Sequence, residues 1–280
     1  MGTSLDYGKL LTDRVILITG AGRSGTTILG KIIGSMSDCY YLFEPSIMKF
    51  VTNPHELRAT IFEDYWLLQY QGRAGNYQNF DDDSHMYNYR TDLCRMLGRK
   101  DDVKNCLNSK LVIKLTEFQN RTDFFKLTFP GAKVVHIYRN GNDVVDSMMK
   151  RGWYTDKYMK IGFLDQTLYP SFDIPSFLDL QSVKKWSEYN QVTRCACVWR
   201  CSVDELREGN NMLQIRYEDL PSMEFDGLAS WLNLGITDLT RKHIKSVQNR
   251  ELTQHKNTID DIQGPERNLF LSTMKRLKYV

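Results

Sequence analysis

Short apolar runs punctuate this chain at intervals that helices alone do not explain. "RVILIT" (14–19), "YYLF" (40–43), "KLVIKL" (110–115), "KVVHIY" (133–138) and "MLQIRY" (212–217) are rich in β-branched, aromatic and other apolar residues and too short for helices. They read as strands, mostly buried on both faces. The stretches between them carry the 3.6-residue period instead. In "TTILGKIIGSM", Ile28, Ile32 and Met36 fall on one helical face; "PHELRATIFEDYWLLQYQ" opens after Pro54. "IPSFLDLQSVKKWSEYNQVTRCACVWRCSVDELRE" opens near Pro175 and reads as one long helix. Strands alternating with helices predict an α/β fold: a central parallel sheet with helices on both faces, three layers in all. Residues 71–85 are polar and aperiodic, an inserted loop, and the last thirty residues turn at Gly264-Pro265 before a final amphipathic helix.

No repeat, low-complexity tract or linker divides the 280 residues, and 41% apolar content suffices for one well-buried core, so residues 1–280 read as a single domain. The net charge of +3 comes from 37 basic and 34 acidic residues, a balance that argues against nucleic-acid binding through bulk charge. The six cysteines (Cys39, Cys94, Cys106, Cys195, Cys197, Cys201) are too sparse for a disulfide framework. Three of them share "RCACVWRCSVDEL" with no histidine close by, which favours core packing over a zinc site. Asp6 stands where a myristoylation signal needs Ser or Thr, and no run approaches the length of a membrane span. The expectation is a soluble, cytoplasmic protein that engages neither nucleic acid nor membrane.

Local chemistry is more informative. "ITGAGRSGTTILG" (18–30) follows a strand and opens a helix, and from Gly20 two glycines bracket four residues as in a phosphate-binding P-loop. Such a loop aims backbone N–H groups at an anion where the helix dipole is positive. The P-loop lysine is missing, however. Thr26 occupies its place, and the cation has moved inside the loop to Arg23. An ATPase or GTPase needs that lysine for the β/γ-phosphates and a strand ending in Asp for magnesium; "KVVHIY" ends in Arg139 instead.

"VVHIYRNGNDVVDSMMKRGWY" repeats the arrangement of strand, cation, glycine-containing loop and helix. Arg139 can hold a phosphate bidentately, and Ser147 can donate to the same group from the first turns of the helix. Two anion sites at two strand ends imply a nucleotide phosphorylated at both ends of its ribose. Against this stand simpler readings in which the glycines of 20–25 serve packing, Arg23 is solvated and Arg139 pairs with an acid.

Taken together, the two segments resemble the 5′-phosphosulfate and 3′-phosphate motifs of sulfotransferases that use 3′-phosphoadenosine 5′-phosphosulfate (PAPS). "GRSGTTIL" is similar to the carbohydrate-type and bacterial form of the first motif, and "RNGNDVVDS" keeps the Arg-to-Ser spacing of the second. "YLFEP" (41–45) and "IRYEDL" (215–220) also resemble family segments. The resemblance implies a P-loop-like fold with a nucleotide-binding core over 14–220 and a helical segment, 221–280, packing over it. It further implies that Arg23, Ser24, Gly25, Thr26 and Thr27 grip the 5′ end of PAPS while Arg139 and Ser147 select its 3′-phosphate. The product would be 3′,5′-adenosine bisphosphate, with no metal required.

Sulfuryl transfer is an in-line displacement in which charge gathers on the leaving phosphate, so alignment and electrostatics do most of the catalysis. Arg23 suits that charge, and Lys114, ending the strand "KLVIK", can either reach the same anion or snorkel from the sheet. A base must take the acceptor's proton; Glu44 is the first choice, since the resemblance puts a catalytic acid or acceptor-binding residue in its segment, and Glu117 is the second. His136 lies inside an apolar strand and reads as a core histidine, while His85 and His255 sit in polar surroundings. The acceptor would be a hydroxyl or amine of a sugar or small molecule, as in secondary metabolism. "FEDYW" (62–66) and "NFDDDSHMY" (79–87) combine acids and aromatics that suit a cationic acceptor such as a guanidinium alkaloid, or merely a solvated loop. Two other classes stay open: a P-loop kinase or NTPase, and a non-catalytic nucleotide-binding protein.

Overall fold

A computed structural model describes residues 14–43, 110–116, 126–127, 129–156, 178–204, 211–249 and 259–280. Among the described residues five strands form one sheet: β1 (Val15–Thr19), β2 (Cys39–Phe43), β3 (Lys110–Lys114), β4 (Lys133–Tyr138) and β5 (Met212–Arg216). Each coincides with one of the apolar runs. All pairings are parallel and the spatial order is β2-β3-β1-β4-β5. β1 is therefore central, and every residue in it is 1% exposed or less, which is why its sequence is an unbroken apolar run ending in Thr19. The chain leaves β1 toward β2 on one side and returns to β4 on the other, so the crevice at the carboxyl ends of β1 and β4 is where strand order reverses.

The helices among the described residues are α1 (Thr26–Gly34), α2 (Gly141–Lys150), α3 (Leu180–Lys185), α4 (Gln191–Asp204), α5 (Phe225–Leu232), α6 (Asp238–Gln248) and α7 (Gly264–Arg276). Alternate sheet residues Ile16, Ile18, Val112, Val135, Ile137 and Ile215 share a core with Leu29, Ile32 and Ile33 of α1, Leu228 of α5 and Val247 of α6. A second core joins Val144, Val145 and Met148 of α2 to Trp199 of α4 and to Phe270 and Met274 of α7. The fold is the α/β, parallel-sheet architecture that the alternation predicts.

The long helix expected from 174–208 is instead two, α3 and α4, broken at 186–190. A side-chain cap marks the break: Asn190 accepts from the N–H of Thr193 at 2.8 Å and from its hydroxyl at 2.6 Å, while Asp179 caps the start of α3 by accepting from the N–H of Ser182 at 2.7 Å. The carbonyl of Trp186 freed by the break accepts from Arg194 Nε at 2.9 Å, so the interruption leaves that carbonyl satisfied. Lysines perform the same service for α5: Lys110 donates to the carbonyl of Leu232 at 2.6 Å and Lys133 to that of Trp231.

Cys39, Cys195, Cys197 and Cys201 are buried free thiols, and burial pushes Cys195 and Cys201 up to about 12, far from a nucleophile or ligand. Cys94 and Cys106 lie outside the described residues. His136 is a core residue, 2% exposed. No helix among the described residues is long and apolar enough to cross a membrane.

Candidate functional site

The loop after β1 is shaped by two residues in left-handed backbone, Arg23 at φ 72° and Gly25 at φ 96°. Glycine adopts this region freely; for an arginine it costs on the order of 1 kcal/mol, a strain that clusters at ligand-binding turns. The turn closes with Ser24 N–H donating to the carbonyl of Ala21 at 3.1 Å. Close approach fixes both glycines: a Cβ on Gly20 would lie 2.2 Å from the carbonyl oxygen of Ile137, and one on Gly25 would lie 2.3 Å from the Tyr217 ring. Gly25 is the N-cap of α1 and offers no side chain, so no side chain caps the first-turn N–H groups of that helix. Ser24 is fully buried, and its hydroxyl has no hydrogen-bond partner among the described residues. Thr26 is buried with its methyl against Gly20, and Thr27 is half-buried.

The loop after β4 is built differently. Two of its backbone donors are already used: Asn140 N–H donates to Glu218 Oε1 at 2.9 Å, and Asn142 N–H to the Asn140 side chain at 2.9 Å. Gly141 serves packing, since a Cβ there would meet Phe270 at 2.7 Å and Trp199 at 2.9 Å. Arg139 is held on three sides: its carbonyl accepts from Trp199 Nε1 at 2.9 Å, its Nη2 donates to Asp143 at 3.0 Å, and its guanidinium lies 4.6 Å from the Tyr217 ring centroid. Its Nε is buried without a hydrogen-bond partner among the described residues.

The two loops meet. Arg23 Nε donates to Ser147 Oγ at 3.0 Å across 124 residues of sequence. Along α2 and its C-cap, Asp143, Ser147 and Arg151 follow at four-residue intervals on one face; Arg139 pairs with the first, Arg23 with the second, and the third lies one turn beyond. Although Arg23 is exposed, partial loss of water around its guanidinium, then the nearby guanidinium groups of Arg151 and Arg139, lower its proton affinity below the ordinary value. Three cations thus share one electrostatic field, and Arg151 makes no ion pair among the described residues. Tyr217 lies between the loops, its ring on Gly25 and under Arg139. Lys114 is buried at the carboxyl end of β3, in register with Ile18 of β1. Glu44 and Glu117 lie outside the described residues, as do His85 and His255.

Sequence reasoning picked out Arg23, Arg139 and Ser147 and missed Arg151, although the four-residue spacing from Ser147 was there to be read. From the segment "IRYEDL", Tyr217 lies between the two loops and Glu218 holds the loop after β4. The arrangement offers uncapped N–H groups, an unpartnered buried hydroxyl and three guanidinium groups, a set that suits a ligand carrying more than one oxyanion.

The sequence matches the sulfotransferase family over residues 15–234. The fold is similar to that of a sulfotransferase domain from the curacin biosynthetic pathway, 15% identical, with a TM-score of 0.54 and 95% of this chain and 97% of that one covered. It is also similar to a sulfotransferase domain from the olefin synthase of Synechococcus PCC 7002, 10% identical, with a TM-score of 0.52, covering 95% and 94%. No protein of curated function matches the chain in sequence. A family match spanning both anion loops, on the fold such domains share, leads to one conclusion: the chain belongs to the sulfotransferase family.

Proposed function

We propose that the protein transfers a sulfuryl group from PAPS to a hydroxyl or amine of a small-molecule or carbohydrate acceptor, with one nucleotide gripped at both ends by the loops after β1 and β4. The contact between Arg23 and Ser147 carries this reading, because it joins motifs for opposite ends of the ribose in a single site. The residues present fit such a donor. The buried Ser24 hydroxyl and Arg139 Nε need partners that an oxyanion would supply, and the positive field of Arg23, Arg139 and Arg151 needs negative charge.

When bound, PAPS supplies a sulfuryl group whose bond to the 5′-phosphate oxygen breaks as the acceptor attacks from the opposite side. Arg23 and the N–H groups of Gly25, Thr26 and Thr27 stabilise the negative charge left on that phosphate, with the Ser24 and Thr27 hydroxyls as further donors. Lys114 adds a cation from the neighbouring strand end. Arg139 and Ser147 hold the 3′-phosphate, and Arg151 extends that cationic edge. Glu44, or failing it Glu117, takes the acceptor's proton. Thr26 in place of a lysine is consistent with a donor that has no β/γ-phosphate. No described residue identifies the acceptor, and the segments 62–66 and 79–87 that would favour a cationic one lie outside the described residues.

Thermal stabilisation by 3′,5′-adenosine bisphosphate, ATP and AMP, each measured with and without magnesium, separates the classes. Greater stabilisation by the bisphosphate, independent of magnesium, is expected; greater stabilisation by ATP would mean a nucleotide kinase or NTPase. Transfer of labelled sulfate from PAPS to a panel of sugars, phenols and amines then tests catalysis. Glu44→Gln should abolish transfer while leaving bisphosphate binding intact. Intact transfer in Glu44→Gln but not in Glu117→Gln would move the base to Glu117.

A further inference from the structure

We propose that Tyr279 is a positioning residue for the loop that reads the nucleotide's 3′ end: by donating to Glu218 it fixes the carboxylate that in turn holds Asn140 and, through it, Arg139. The inference rests on the function proposed above and adds to it a residue far from both phosphate motifs in sequence.

Tyr279 reaches the site through the end of α7. The N–H of Lys278 donates to the carbonyl of Lys275 at 3.0 Å and that of Tyr279 to the carbonyl of Met274 at 2.9 Å, the paired bonds of a Schellman turn. Such turns usually put glycine at the left-handed position. Here it is Lys278, at φ 58°, so the chain accepts a strained residue in order to fold back. The fold-back lays Tyr279 over the tips of β4 and β5. Its ring sits 4.2 Å from the Arg216 guanidinium and meets Tyr138 edge-on at 6.5 Å, and Tyr138 and Arg216 are register partners.

Its hydroxyl donates to Glu218 Oε2 at 2.7 Å while Glu218 Oε1 accepts the Asn140 N–H at 2.9 Å. One carboxylate therefore ties the last turn of the fold to the residue that follows Arg139 and caps α2. Arg216 Nε, 3.4 Å from Oε2, completes the clamp. Without the hydroxyl, Glu218 can turn toward Arg216 alone, which frees the Asn140 N–H and loosens the backbone on which Arg139 and the start of α2 depend. Among the described residues no hydrogen bond joins the loop after β1 to Tyr279, Glu218 or Asn140, and its hydrogen-bonded link to α2 is the Arg23–Ser147 bond two turns further on, so the loss should fall mainly on the 3′ end of the ligand.

Tyr279→Phe removes only the hydroxyl and keeps the ring over Arg216. Calorimetric titration of the wild type and this variant with 3′,5′-adenosine bisphosphate and with 5′-AMP is the test. Bisphosphate affinity should fall roughly tenfold while 5′-AMP affinity changes little, as for an indirect loss of one hydrogen bond to a charged group. In a Glu218→Ala background the same substitution should have no further effect. Equal losses for the two ligands, no loss for either, or additive losses in the double variant would each overturn the role of Tyr279. A wild type that does not prefer the bisphosphate would instead overturn the proposed function on which the inference rests.

Discussion

Arg139 and Arg23 are both charged and both at strand ends, yet their surroundings differ. Arg139 has its guanidinium between the Tyr217 ring and Asp143 and its carbonyl held by the Trp199 indole, whereas Arg23 is exposed and tethered by one hydroxyl. Arg139→Ala should therefore weaken 3′,5′-adenosine bisphosphate binding far more than 5′-AMP binding, by roughly ten- to a hundredfold for a lost charged hydrogen-bonding group. Equal losses in calorimetry would show that Arg139 does not read the 3′ group. His136 makes a different prediction. Burial in β4 holds its imidazole down to about 4, while the unfolded chain titrates near ~6.5. Between those values the unfolded state binds the extra proton, so the contribution is complete above the upper value and is lost as pH falls through the window, by at most about 1.4 kcal/mol per pH unit. Urea unfolding from pH 7 to 4.5 should show a shallower acid decline in His136→Phe than in the wild type; identical slopes would contradict the buried, neutral imidazole. At this scale the sequence revealed Arg139 because it ends an apolar run and Arg23 because it stands inside a loop bracketed by glycines. Tyr217, Glu218 and Tyr279 were not legible as site residues, since nothing local distinguishes a tyrosine that supports a loop from one that fills a core.

At the scale of elements, the five strands could be read directly because most sheet positions are buried on both faces and the sequence has little choice but to be apolar there. Helix limits were harder. The break between α3 and α4 depends on Asn190 turning back as a cap, and an amphipathic stripe runs through such a break almost unchanged. The position of α2 likewise depends on Gly141, whose lack of a side chain lets Phe270 and Trp199 close over the start of the helix. Gly141→Ala should destabilise the fold by about 1–3 kcal/mol through overpacking, and should weaken bisphosphate binding by displacing Ser147 with the helix. Chemical denaturation checks the first effect and calorimetry the second. An unchanged midpoint would mean that the aromatics yield at no cost and that α2 is not set by this contact.

Across the whole molecule, one buried charge network ties the final helix to the rest. Arg200 of α4, 5% exposed, donates to Glu266 of α7 through Nε at 2.7 Å and Nη2 at 3.1 Å, and also to Asp179 at 2.5 Å and Asp204 at 3.2 Å. Glu266 is itself 1% exposed. Removing one partner strands the other's charge, so Arg200→Met should cost about 3–5 kcal/mol, whereas Arg200→Met with Glu266→Leu should recover most of that loss. Urea titration of both variants tests this, and a double variant no more stable than the single would show that the pair is not one unit. The network joins positions 66 apart in sequence, which is why no local pattern announced it. Because α7 also presents Tyr279 to Glu218, the same helix that closes the core reaches the edge of the site.

The central claim is that the loops after β1 and β4 hold opposite ends of a single nucleotide. Competition calorimetry between 5′-AMP, 3′-AMP and 3′,5′-adenosine bisphosphate tests it most directly. The account predicts that the bisphosphate binds one per chain, more tightly than either monophosphate, and that each monophosphate displaces the other. Simultaneous binding of both monophosphates, or a bisphosphate no tighter than 5′-AMP, would contradict it.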